Sequence, residues 1–200
     1  MPERFRSYDA DPVTVARRLL GQRLVRVIDG RRLGGTIVEV EAYLGSEDKA
    51  AHTFRGRRTA SNASMYLQGG HAYIYFTYGM HHCLNVVTGK AGDGTAVLLR
   101  AIEPLEGVKW MFARRTAATR DTQLCSGPAK LTQALALSRS EDGLDLARSP
   151  QLFIERLRRR PLPAKRVVST PRIGVGYAGS WARRRLRFYI EGNPHVSPGR

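Results

Sequence analysis

The sequence predicts a mixed α+β single domain, rich in antiparallel β structure, and three stretches carry that prediction. Thr36–Gly45 (TIVEVEAYLG) alternates Val38, Val40, Ala42 and Leu44 with Ile37, Glu39, Glu41 and Tyr43, the period-two pattern of a strand with one face in a core. Asp29-Gly30, lying between two strand-like runs, marks a tight hairpin. The run AYIYFTYGMHHCLNVV is dense in aromatic residues, and its one glycine, Gly79, can turn it into a second hairpin.

The elements follow in order. Asp11-Pro12 opens a helix with an acid at the cap and proline in the first turn; Val13, Ala16, Leu19 and Leu20 form its apolar face and Gly21 ends it. Gln22–Ile28 reads as a strand that turns at Asp29-Gly30 and returns through Arg31–Gly35 into Thr36–Gly45. Gly45–Gly70 is polar and too long for a plain connection, and its HTFRGRRT core sets positive charge beside hydroxyls, a composition suited to phosphate. In the aromatic hairpin Tyr73, Tyr75 and Thr77 share one face and Ile74, Phe76 and Tyr78 the other, with Cys83–Val87 as the return strand. Its tip, with Tyr78, Met80, His81 and His82, is apolar enough either to wedge into a DNA groove or to pack on a neighbouring element. Thr95–Ile102 is a buried strand whose Arg100 needs a carboxylate partner. Pro104–Arg115 is expected to be helical, as is the stretch from Ser126-Gly127-Pro128 to Leu137, with Lys130 in its first turn. Leu152–Leu157 and Arg166–Ser169 are expected to be short strands, and the basic runs at 156–160 and 183–187 read as solvated faces that would also serve a DNA backbone.

Two hundred residues can bury a sizeable core as one domain. Thirty-three Lys and Arg against 17 Asp and Glu leave +16, a balance that calls for a polyanionic partner, nucleic acid first. No apolar run approaches membrane-spanning length and the N-terminus has no signal-peptide core, so a cytoplasmic protein acting on the nucleoid is expected. Cys83 and Cys125 have no CxxC spacing, and neither a disulfide framework nor a metal site is expected; His81-His82-Cys83 cannot all converge on one ion. GxGxxG, Walker, HExxH, GxSxG and zinc-deaminase signatures are absent.

Two carboxylates on one strand are unusual, since acids are depleted there. They form either a solvated outer face paired with arginines, or a carboxylate fixed on a rigid element for acid–base work. With a tyrosine-rich hairpin and heavy positive charge, the second alternative suits an enzyme that extrudes one nucleotide, holds its base between aromatic faces and cleaves the bond to C1′ through an oxocarbenium-like state.

The series GTIVEVEAYLGSEDKAAH, YIYFTYGMHHCLNVV, VLLRAIEPLEG, LCSGPAKL and RIGVGYAGSWA, in this order and spacing, resembles the alkyladenine (3-methyladenine) DNA glycosylase family from about Val13 to Ser197. The resemblance implies a curved, open-barrel-like antiparallel sheet flanked by helices with a protruding hairpin. It also implies excision of alkylated and deaminated purines from double-stranded DNA by a monomer with no cofactor. By position it makes Glu41 the general base, with Arg100 holding Glu41 and its water; Tyr43 and Tyr75 stack on the extracted base, His52 meets its edge and Asn85 lines the pocket. Tyr78 would be the intercalating wedge beside Met80, and Arg57, Thr59 and Lys130 would hold phosphates. The chain lacks the long N-terminal extension of some relatives, which fits a minimal bacterial form.

Overall fold

Asp11 caps the first helix, α1 (Pro12–Leu19), by accepting from the amides of Val13 and Thr14 at 3.0 and 2.9 Å. Its buried stripe is Pro12, Val15, Ala16 and Leu19, with Val13 only half-buried. The computed structural model describes residues 3–77 and 79–199. Eight strands form one sheet: β1 (Arg23–Ile28), β2 (Arg31–Tyr43), β3 (Ala72–Thr77), β4 (His81–Thr88), β5 (Thr95–Glu106), β6 (Leu152–Glu155), β7 (Val167–Thr170) and β8 (Arg187–Ile190). All pairings are antiparallel, in the order β3-β4-β5-β2-β1-β6.

The long strand β2 is the trunk of this sheet. One edge pairs along its length with β5; the other meets β1 through Arg31–Thr36 and then β8 through Glu39–Glu41, so the sheet forks there. The fork depends on Gly34 and Gly35. A Cβ on Gly34 would collide with the Leu24 carbonyl of β1, and one on Gly35 with the Glu103 carbonyl of β5.

Two offset bulges follow along the β2–β5 ladder. Ile37 faces Ile102 and Glu39 faces Ala101, leaving Val38 as the extra residue; Val40 then faces Leu99, leaving Arg100 extra on β5. The bulge corrects the expected faces: Ile37 joins Val40 and Ala42 in the main apolar core. The helices α1, α2 (Val108–Arg114) and α3 (Pro128–Ala134) cover that same side through Leu19, Met111 and Leu131. Glu39 and Glu41 point the other way and are completely buried, so the second face of β2 is not a solvated one.

Several boundaries differ from expectation. The helix expected from Pro104 is strand as far as Glu106; Pro104 lies opposite Gly35 at a bulge, where a missing donor is tolerated, and Gly107 (φ 70°) starts α2. Leu44 falls outside β2, β4 begins at His81 rather than Cys83, β6 stops at Glu155 and β7 runs one residue beyond Ser169. α3 ends at Ala134, just before the left-handed Ala136, and Gly127 supplies no side-chain cap. β8, unforeseen in the basic 183–187 run, completes the fork, and its Arg187 is buried rather than solvated. The polar segment after β2 forms short 3-10 turns (Gly45–Glu47, Phe54–Gly56, Ala60–Tyr66) pinned by buried Asp48, Thr53 and Asn62.

Three strand spacings of about 4.8 Å separate β3 from β2, placing Tyr43 and Tyr75 some ~14 Å apart were the sheet flat. Both wall the same cavity. The sheet curves into a half-barrel, and its curvature builds the site.

Candidate active site

A cavity of about 310 Å³ opens on the face of the sheet that carries Glu41, with Pro128 at the start of α3 among its walls. Its walls include Glu41 and Tyr43 from β2, Tyr75 from β3, Asn85 from β4 and Arg100 from β5, with His52 from the polar segment. The six side chains singled out as catalytic or base-binding therefore meet at one place, at the lower end of the size range of ligand pockets.

Glu41 lies at its base, with no exposed surface. Its Oε1 accepts from the Ile173 amide at 2.8 Å and pairs with Arg100 Nη1 at 3.2 Å; its Oε2 accepts from the Tyr43 hydroxyl at 2.9 Å. An ionised carboxylate has about four acceptor sites, so these three donors leave one on Oε2 unfilled. Burial alone would strip the Arg100 guanidinium of its proton more easily, but Glu41 and then Glu39 outweigh it and the pKa is raised. Arg100 is a fixed cation.

The aromatic wall is equally constrained. Burial, then the charge of Glu41, raise the Tyr43 phenol well above its usual value, so it stays a donor to the carboxylate. Behind it, the Arg172 guanidinium lies 4.6 Å from the ring centroid, donates to the Ala42 carbonyl at 3.0 Å and forms a bidentate pair with Asp48 at 2.5 and 2.8 Å. Tyr75 meets the His52 ring edge-on at 4.5 Å, and His52 Nδ1 shares a 2.6 Å hydrogen bond with the Tyr73 hydroxyl. His52 keeps an exposed edge, yet burial of its ring and then the charge of Arg57 lower its pKa, leaving a neutral imidazole at pH 7. Asn85 donates to the Tyr73 carbonyl at 3.1 Å, which fixes its amide at the cavity wall.

The other expected site residues that the structure describes lie outside the lining of this cavity. Arg57 and Thr59 line an adjoining cavity of about 440 Å³ that shares His52, Tyr73 and Tyr75 with the first. Asn62 holds that loop by donating to the His52 and Arg57 carbonyls, both at 3.0 Å. Lys130 sits in the first turn of α3, whose Pro128, rather than Lys130, borders the cavity. Met80 is 69% exposed at the β3–β4 turn, with Phe76, at 53%, on the adjoining strand. Tyr78 lies outside the described residues.

Sequence reasoning did not find Ile173, Arg172 or Asp48 as partners of the site. The Ile173 contribution is a backbone amide and leaves no trace in residue type. Arg172 and Asp48 carried a signal only jointly, as a buried charge pair separated by 124 positions. Glu39 was legible as the alternative carboxylate; it pairs with Arg100 and Arg187, and Glu41 with Arg100 alone.

Residues 6–194 match the model of the methylpurine-DNA glycosylase family. The chain belongs to that family. A human relative named DNA-3-methyladenine glycosylase is 48% identical over 200 residues, covering 95% of this chain and 66% of its own length. Relatives from Methanocella arvoryzae and Bacillus cytotoxicus, both named putative 3-methyladenine DNA glycosylase, are 46% and 43% identical over 95% of this chain and 92% and 96% of their own. This methylpurine-DNA glycosylase family member thus spans slightly under two thirds of the human relative and 59% of the mouse one, but nearly all of the archaeal and bacterial ones.

Proposed function

We propose that this chain is a monofunctional DNA repair glycosylase that extracts an alkylated or deaminated purine from duplex DNA and hydrolyses its N-glycosidic bond, leaving an abasic site. One observation carries the reading: a buried carboxylate, Glu41, with one acceptor site unfilled, stands in the cavity wall between a fixed arginine and aromatic rings. Glu41 takes the proton of the attacking water while its charge stabilises the oxocarbenium-like sugar as the base departs. Arg100 holds the carboxylate and that water. A second carboxylate is not required: a methylated base is cationic before it leaves, so the electron pair of the broken C1′–N bond departs with a neutral base, and an uncharged purine reaches the same state by taking a proton from solvent first. Tyr43 and Tyr75 stack on the extracted purine, with a cation–π gain when it is positively charged. Neutral His52 meets its edge without repelling that charge, and Asn85 disfavours the amino group of normal guanine.

Tyr78, by its place in the sequence between Thr77 and Gly79, and the exposed Met80 fill the vacated stack and offset the unstacking cost of a few kcal/mol. Arg57, Thr59 and Lys130 take phosphates. In this reading the protein acts as a monomer on double-stranded DNA in the cytoplasm. Its +16 charge and the names of its relatives support the choice of polyanion.

Duplexes each carrying one 3-methyladenine, 7-methylguanine, hypoxanthine or ethenoadenine test the reading through free base released. Release from at least one, with undamaged duplex left intact, is the expected result. Tight binding with no release from any of them contradicts it.

A further inference from the structure

Glu39 is as deeply buried as Glu41, two residues further along β2, but lies outside the cavity lining. Its Oε1 accepts from Arg100 Nε at 2.8 Å, Arg187 Nε at 2.6 Å and Ser197 Oγ at 2.8 Å, and its Oε2 from the Ser197 amide at 2.7 Å. Arg187 Nη2 donates to the Ser197 carbonyl at 3.0 Å and Arg100 Nη2 to Ser197 Oγ at 3.2 Å. Each nitrogen of the Arg100 guanidinium thus meets a different residue: Nε Glu39, Nη1 Glu41 and Nη2 Ser197. Two carboxylates and two guanidiniums balance, so the group is buried without net charge. Arg100 is the extra residue of a bulge, where the strand ladder alone does not aim a side chain. Something beyond the ladder has to orient it. Ser197 lies three positions past the matched family segment.

We infer that Glu39 and Ser197 are positioning residues: they lock the Arg100 guanidinium from its far side and so set the orientation and basicity of Glu41. The inference rests on reading Glu41 as the base. The titratable or charged groups facing Glu41 are Arg100, Tyr43 on its own strand, Tyr75, Cys83, and Arg172 with its Asp48 partner. Among these, Arg100 is the cation in direct contact, and Glu39 and Ser197 hold it there.

The test compares Ser197→Ala, Ser197→Thr and Glu39→Gln in the full chain by single-turnover base release, melting temperature and carbon NMR titration of the Glu41 carboxyl. Ser197→Ala is expected to slow release by roughly tenfold or more, as a misplaced catalytic group does, with damaged-duplex affinity unchanged. Glu41 then titrates at higher pH because its cation is loosened, and Ser197→Thr restores both readouts. Glu39→Gln draws Arg100 wholly onto Glu41 and moves the titration to lower pH. Wild-type release with an unmoved titration in Ser197→Ala overturns the inference. A loss of release that tracks a lowered melting temperature and returns on cooling overturns it too. If the wild-type chain releases no base from any duplex, the functional reading fails, while the titration, which needs no substrate, still decides the positioning roles.

Discussion

Residues two apart on a strand share a face, and that elementary fact sets the Tyr43 hydroxyl 2.9 Å from Glu41 Oε2. Burial and the neighbouring carboxylate raise the phenol pKa, and carboxylate neighbours raise that of Arg100 against its burial, so both keep their protons beyond their ordinary values. The sign follows directly. The single-turnover rate should show no alkaline loss from either group between pH 7 and about 10, the free-tyrosine value. A loss with a midpoint near pH 9 that disappears in Tyr43→Phe would contradict this placement. Alternation made both glutamates visible but could not rank them, because their partners are distant in sequence: Arg100 and Arg187 for Glu39, Arg100 and the Ile173 amide for Glu41. The aromatic residues were easier to read. Tyr43 and Tyr75 stand on period-two strands, whose faces a local pattern reveals, whereas the role of Asn85 rests on the family resemblance.

Among the elements, β2 has the tightest backbone requirement. A Cβ on Gly35 would meet the Glu103 carbonyl, with the Glu103 carbon at 2.8 Å and the Pro104 Cα at 3.0 Å. Gly35→Ala is therefore expected to destabilise the fold by about 1–3 kcal/mol, the range for overpacking, lowering the melting temperature by several degrees. A melting temperature within a degree of wild type would show that the ladder can open there. Both hairpins were legible because Asp29-Gly30 and Gly79 are local turn signals. The extension of β5 through Pro104 and the existence of β8 were not. Each depends on pairing with β2, and a proline or an arginine run carries no local sign of such a partner. The bulges at Val38 and Arg100 were hidden for the same reason, and they moved Ile37 to the core face.

For the whole molecule, the net charge of +16 makes association with DNA a counterion-release process. Binding to undamaged duplex should weaken linearly in log–log salt plots, and Arg57→Gln should reduce the slope by about one if Arg57 takes a phosphate. An unchanged slope would remove Arg57 from the interface. Curvature of the sheet, the feature that brings β2 and β3 to one cavity, has no local signature; it follows from the fork at β2 and the helices packed on one face. Glu41 in the wall of that cavity carries the proposed chemistry. Glu41→Gln keeps the shape and the Tyr43 contact while removing the proposed base, so single-turnover excision from a lesion-bearing duplex is its most direct measure. Release should fall by at least about a hundredfold, as loss of a general base requires, with damaged-duplex affinity retained. Excision at the wild-type rate by that variant would contradict the account.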